Sequence, residues 1–344
     1  SILYPLPPPA LVSELIGLDP LLPFALYDQL PVLFEGVPQA GVYPGFRVVG
    51  LRVDPCFPPP SGTGCLKQLR LVAQPVSAAQ ATDGGMFVST ADVALHLFYR
   101  LDDPAFTDVL ARLRALKGLA GTRTAGRLGP NGALKAEGPA GPYAQALKAL
   151  VAQHCREATL THVAVATLQG FGAAWGFELL AHADGGLASE PIPLLGAEVR
   201  QTFREVGSKA ARAGCLLPAP VPDALSVLLD ATALSAADAG TLDAALTAAL
   251  KLEHPAHSNP RTHDCASCHV ASRARLNAEA VRQVSTATSP QRYVNPRFDL
   301  TWQDEVGDEP RAVRAFGYFN DKSAFMPRVI HESAEVADAL NALP

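Results

Sequence analysis

Phe46-Arg47-Val48-Val49-Gly50-Leu51-Arg52-Val53 and Leu66-Lys67-Gln68-Leu69-Arg70-Leu71-Val72 are the stretches that set the architecture of this chain. Both are rich in Val and Leu and place apolar side chains at alternate positions, the period of a half-buried β-strand. Between them, Cys56 and Cys65 flank Pro58-Pro59-Pro60-Ser61-Gly62-Thr63-Gly64, whose prolines and glycines read as a turn. The two stretches are therefore expected to be neighbouring strands stapled by a Cys56–Cys65 disulfide.

Working outward, Thr159 to Leu168 and Phe171 to Leu180 read as two more antiparallel strands joined near Gln169-Gly170, and Ile192 to Phe203 as another. Helices are expected from a Ser89 or Thr90 cap to Leu101, with Val93, Leu97 and Leu101 on one face, from Asp103-Pro104 to Leu116, and from Pro142 to Cys155. Gly118 to Gly141, rich in Gly, Pro and Ala, reads as a loop. Residues 1–45 are too broken by proline for a long helix and too apolar for a solvated tail. This arm is expected to wrap on its own domain, the alternative being an arm that faces a partner or the cell envelope.

After a boundary expected at Pro218 to Pro222, helices are predicted from Pro222 to Leu229 and from Ser235 to Leu252, the latter with Ser235 as cap and Asp238 completing a capping box. Further helices are expected from Cys268 to Val284 and from Glu332 to Leu343, with a strand or short helix over Arg311 to Tyr318. The expected fold is α+β: residues 1–45 as a Pro-rich arm, 46–217 as a mixed antiparallel sheet with helices and disulfides, and 218–344 as a mainly helical module.

The 344 residues are 48% hydrophobic and 18% charged with a net charge of −5, the composition of a folded protein without the basic field that attracts nucleic acid. No run of about 18 apolar residues spans a membrane, and the start lacks the charged region of a signal peptide, as in a mature or trimmed product. There is no Gly-rich phosphate loop and no nucleophile elbow. His331-Glu332-Ser333-Ala334-Glu335 lacks the second histidine of a metalloprotease helix.

Cys265-Ala266-Ser267-Cys268-His269 carries the most specific chemistry in the chain. A C-x-x-C-H run presents two thiols at the spacing of the haem vinyl groups, each able to form a thioether, and a histidine placed to give its imidazole to the iron. Structural zinc usually draws on a second well-spaced ligand pair, and the other cysteines lie far upstream. A thioredoxin-like pair needs a βαβ setting that the flanks lack. A purely structural disulfide is the remaining alternative. The run assigns Cys265 and Cys268 to one covalent haem c and His269 to the iron as proximal ligand.

Residues 254–344 resemble small monohaem c-type cytochromes, on the strength of this run and of Ala324-Phe325-Met326-Pro327 just ahead of the last predicted helix. The resemblance implies Met326 as sixth iron ligand, its thioether raising the reduction potential relative to two imidazoles. His257 is the alternative distal ligand, ahead of His254 and His331, while His263 lies too close to Cys265 to reach the far face. The chain departs from an all-helical cytochrome in lacking an obvious middle helix and in the possible strand near Tyr318. The resemblance further implies haem attachment outside the cytoplasm, hence a periplasmic or extracellular, outer-membrane-associated bacterial protein performing single-electron transfer with a redox protein partner. Disulfides persist in that compartment. With Cys56 and Cys65 paired, Cys155 and Cys215 are left for each other, although three pairings are formally possible. Two other functions remain open: a peroxidase- or oxygenase-like haem enzyme with an open sixth site, and an envelope or assembly protein stabilised by haem. His96, His154 and His162 read as packed or hydrogen-bonded histidines.

Overall fold

The computed structural model describes residues 1–58, 63–124, 127–169, 174–205, 215–216, 223–295, 301–302 and 313–343. The expected boundary at 218–222, most of the Pro58 to Gly64 turn, the Gln169-Gly170 junction beyond Gln169, Phe171, and Arg311 and Ala312 lie outside them. In chain order the first strands are β1 (Ile2–Leu3), β2 (Phe46–Phe57), β3 (Leu66–Gln80), β4 (Met86–Thr90), β5 (Val93–Leu101) and β6 (Arg127–Leu128). They continue with β7 (Leu160–Gln169), β8 (Ala174–Ala183), β9 (Gly186–Glu190), β10 (Arg200–Glu205) and β11 (Cys215–Leu216). All but β6 join a ten-stranded sheet in the order β1-β2-β3-β5-β7-β8-β10-β11, with β4 added to β3 and β9 to β8. Every pairing in it is antiparallel. The α+β architecture is as expected, and Cys56 and Cys65 are disulfide-bonded across the β2–β3 connection.

One face of the sheet is covered by the proline-rich N-terminal segment, with α1 (Phe24–Tyr27) and α2 (Gln39–Val42), and by α3 (Asp103–Ala120), α4 (Gly132–Glu137) and α5 (Pro142–His154). Leu18, Leu22, Tyr27 and Leu33 of that segment are buried against Phe46, Leu71, Leu97 and Tyr99 of the strands, the expected wrap onto its own domain. The stretch expected as a loop after Gly118 in fact holds the end of α3 and all of α4, which Asn131 caps by accepting from Leu134 N at 3.0 Å.

The segment expected as a helix up to Leu101 is instead β4 and β5, and β5 lies at the centre of the sheet between β3 and β7. Val93, Leu97 and Leu101 are spaced by four, which is a helical period and also every second position of one strand face. Leu95 and Tyr99 fill the same face and are buried with them, so the long-range partners settle the ambiguity in favour of strand. Of Ile192 to Phe203, only the part from Arg200 is strand.

The opposite face of the sheet carries the C-terminal third. Here α6 (Ser226–Leu229), α7 (Ala231–Ala236), α8 (Ala239–Glu253) and α9 (Cys265–Arg282) pack on Ala166, Trp175, Phe177 and Phe203. Asp238, not Ser235, caps α8, accepting from Thr241 N at 2.7 Å; Ser235 lies within α7. β12 (Thr301–Trp302) runs parallel to β6. The hairpin β13 (Phe316–Phe319) and β14 (Lys322–Phe325) and then α10 (Pro327–Asn341) cover β2 and β3. The C-terminal region is thus helices plus a small hairpin.

Two devices seat the hairpin. A Cβ at Gly50 would stand 2.3 Å from the Phe316 ring, so the absent side chain lets the hairpin close on β2. Gln74 then treats Tyr318 as a neighbouring strand: its Nε2 donates to Tyr318 O at 2.9 Å and its Oε1 accepts from Tyr318 N at 2.8 Å. Among the described residues no helix is long and apolar enough to cross a membrane.

Candidate cofactor site

The C-x-x-C-H run forms the first turns of α9. Asp264 is the N-cap, accepting from Ser267 N at 3.0 Å, so the helix begins at Cys265, three residues earlier than expected. Gln201 on β10 fixes this turn from the sheet side: its Nε2 donates to Asp264 Oδ2 at 2.7 Å and its Oε1 accepts from Ala266 N at 2.7 Å.

Cys265, Cys268 and His269 line one cavity between the sheet and the C-terminal elements. Its sheet wall comes from Val72, His96, Phe98, Ala166 and Phe177; its other side from Ala315, Val329, Arg328 and Glu332. Both thiols are free. Burial pushes the Cys265 thiol up to about 12, helped by Cys268 and Asp264, and raises Cys268 as well. Neither resembles the poised thiolate of a redox C-x-x-C. Among the described residues no group of three or more His, Cys, Asp or Glu side chains is placed to hold a metal ion.

His269 Nδ1 lies 2.9 Å from the carbonyl of Val313, so the N–H sits on Nδ1 and Nε2 keeps its lone pair. Metal-binding histidines are commonly oriented by such a second hydrogen bond. Burial lowers the proton affinity of His269 against the opposing effect of that carbonyl, which keeps the ring neutral. Phe177 packs on it with centroids 5.0 Å apart.

Across the cavity stands His96, at the middle of β5, its ring centroid 6.3 Å from that of His269 and nearly perpendicular to it. Burial, together with His269, Arg52, Arg70 and Arg314, pulls its pKa down to about 3, so this imidazole too is neutral. Expecting a helix there hid it: only strand alternation turns His96 onto the face opposite Leu95 and Leu97. Its signal in the sequence was a polar side chain among apolar ones at the alternate positions Ala94, His96 and Phe98.

One rim of the cavity is cationic. Arg52 pairs with Glu332 at 2.8 Å, and Arg70 bonds both Asp54, at 2.7 Å, and Glu332. Arg328 reaches the carbonyls of Leu252 at 2.7 Å and Ser258 at 2.6 Å. Arg70 Nε is buried without an acceptor among the described residues.

Of the other sequence-derived candidates, only His263 lines the cavity. Met326 is fully buried as the N-cap residue of α10, its backbone N donating to Ala315 O at 3.0 Å, but it does not line the cavity. His257 is exposed and packs against His254 with tilted rings, centroids 4.3 Å apart. His331 holds the carbonyl of Glu253 at 2.9 Å, and His263 lines the cavity near Cys265. His154 and His162 are hydrogen-bonded, to Asp108 and Arg261 respectively. Cys155 is a free thiol buried in the core beneath the sheet, so the expected Cys155–Cys215 disulfide is not formed; that core is filled by apolar side chains of α5 and its neighbours.

The residues present fit a covalently bound haem: two free thiols and an oriented imidazole on one helical turn, an aromatic and aliphatic wall, and arginines on one rim with an unmet donor. No protein-family model, curated protein or solved structure matches the chain.

Proposed function

We propose that this protein is a monohaem c-type cytochrome-like carrier of single electrons, working in the periplasm or at the outer surface of a bacterial envelope. The observation that carries the reading is the convergence of Cys265, Cys268 and His269 on one cavity, with His269 Nδ1 held by Val313 so that Nε2 is free. Haem c, when bound, supplies a ferric/ferrous couple that takes one electron from a reduced partner protein and gives it to an oxidised one. Cys265 and Cys268 would hold the group covalently through thioethers to its vinyl carbons, and His269 would give its imidazole to the iron. Arg52, Arg70 and Arg328 would be the cations available to the porphyrin carboxylates, and Phe98, Phe177 and Val329 would exclude water from the ring. The Cys56–Cys65 disulfide supports the oxidising compartment.

The test is a pyridine haemochrome spectrum combined with the intact mass of protein made in a host with a cytochrome c maturation system. One thioether-linked haem per chain is the expected result. A chain that leaves that host at its unmodified mass overturns the proposal.

A further inference from the structure

We infer that His96 is the second axial ligand of the haem iron, so that the centre is held by two imidazoles, one from the sheet and one from α9. The inference rests on the haem reading and specifies its far side.

Its geometric basis is the relation between the two rings. A ligating imidazole nitrogen lies about 2 Å from a transition-metal ion and about 1.1 Å from its own ring centre, so two imidazoles trans on one metal have centroids roughly 6 Å apart. The His96 and His269 centroids are 6.3 Å apart. Ordinary ring pairs also occur at such separations, as Phe98 and His162 do at 6.4 Å, so the distance counts here because both imidazoles line the same cavity as Cys265 and Cys268.

The second observation is the absence of a competing role. His96 makes no hydrogen bond among the described residues, in contrast to His154, His162, His182, His269 and His331, each of which has one. The His96 ring therefore lines the cavity with no hydrogen-bonding partner of its own among the described residues. The position is also rigid, because His96 sits in register with Val72 of β3 and Ala164 of β7, paired on both sides in the middle of the sheet. Small Ala164 and Ala166 on the same wall leave room beside it. Met326, by contrast, is held by the β13–β14 hairpin and α10 and does not line the cavity.

The experiment begins with the haemochrome and mass measurement, which establishes the covalent haem separately. On haem-loaded full-length protein, the ferric form is then examined by electron paramagnetic resonance and near-infrared magnetic circular dichroism. A low-spin, bis-imidazole spectrum without the sulfur-to-iron charge-transfer band is expected, unchanged in Met326→Leu. His96→Ala is expected to become high-spin, to bind carbon monoxide in the ferrous state, and to regain the low-spin spectrum with added imidazole. His96→Met is expected to raise the midpoint potential, since a methionine ligand favours the ferrous state more than a second imidazole does. A sulfur band in the wild type that Met326→Leu removes overturns the assignment in favour of Met326. A high-spin wild type that binds carbon monoxide at once overturns it in favour of an open, enzyme-like site. The wild-type spectra decide between these outcomes even if a His96 variant fails to fold.

Discussion

Gln201 and Asp264 bind each other in the interior, the Gln201 Nε2 donating to Asp264 Oδ2 at 2.7 Å while the same carboxamide accepts from Ala266 N at 2.7 Å. Through this pair the sheet fixes the first turn of α9, and with it the direction of the Cys265 and Cys268 thiols. Gln201 is completely buried, so its removal leaves Ala266 N unmet, while Asp264 Oδ2 keeps its bond from Ser267 N. Gln201→Leu is expected to cost about 1–3 kcal/mol, the range for one buried unsatisfied group. Asp264→Asn, which still caps the helix, is expected to lose less. Urea midpoints give the ranking, and haem incorporation should fall in the same order.

Glu332 makes stability fall in acid. Burial alone would push its carboxyl up, yet Arg52, Arg70 and Arg328 together hold it far below the ordinary value of 4.5. A carboxylate with a depressed folded pKa contributes its full stability above the unfolded pKa and loses it as pH falls toward the folded one. Denaturant midpoints should therefore drop as pH is lowered from about 5, the range in which unfolded carboxylates protonate. Glu332→Gln should cost about 3 kcal/mol at neutral pH, because Arg52 and Arg70 lose a buried partner. The same variant should lose less on acidification than the wild type; an identical acid profile would remove Glu332 as the cause.

Cys155 should resist alkylation in the folded protein. It is fully buried, and burial raises its thiol well above the usual range. Maleimide treatment followed by mass analysis should leave it unmodified in native buffer and modify it in urea, because the thiolate is the nucleophile. Rapid labelling of native protein at Cys155 would contradict the buried position.

The Cys56–Cys65 bridge closes a short loop between residues nine apart in sequence. Chain entropy assigns such a closure about 3 kcal/mol. Replacing both cysteines with serine should lower stability by up to that amount, read as a denaturant midpoint, without changing the haem spectrum, because the bridge lies at the β2–β3 turn and not on the cavity wall.

The amino-acid sequence by itself determined what is local. The alternation of Phe46 to Val53 and Leu66 to Val72 specified the first strands, the cysteines across their turn specified a disulfide, and the spacing of Cys265, Cys268 and His269 is the motif on which the haem proposal rests. Each signal is contained within a few residues. Tertiary structure alone decided the rest. Val93, Leu97 and Leu101 satisfy both a helix and a strand, and only pairing with β3 and β7 made the segment a central strand. Asp238 displaced Ser235 as a cap because α7 ends before α8 begins. His96 and His269, far apart in the chain, face each other because antiparallel pairing turns His96 out of the core that takes Leu95 and Leu97, and Gln201 points the start of α9 at the same face. Periodicity names the face on which a side chain stands, but the element packed against that face is chosen by the whole chain.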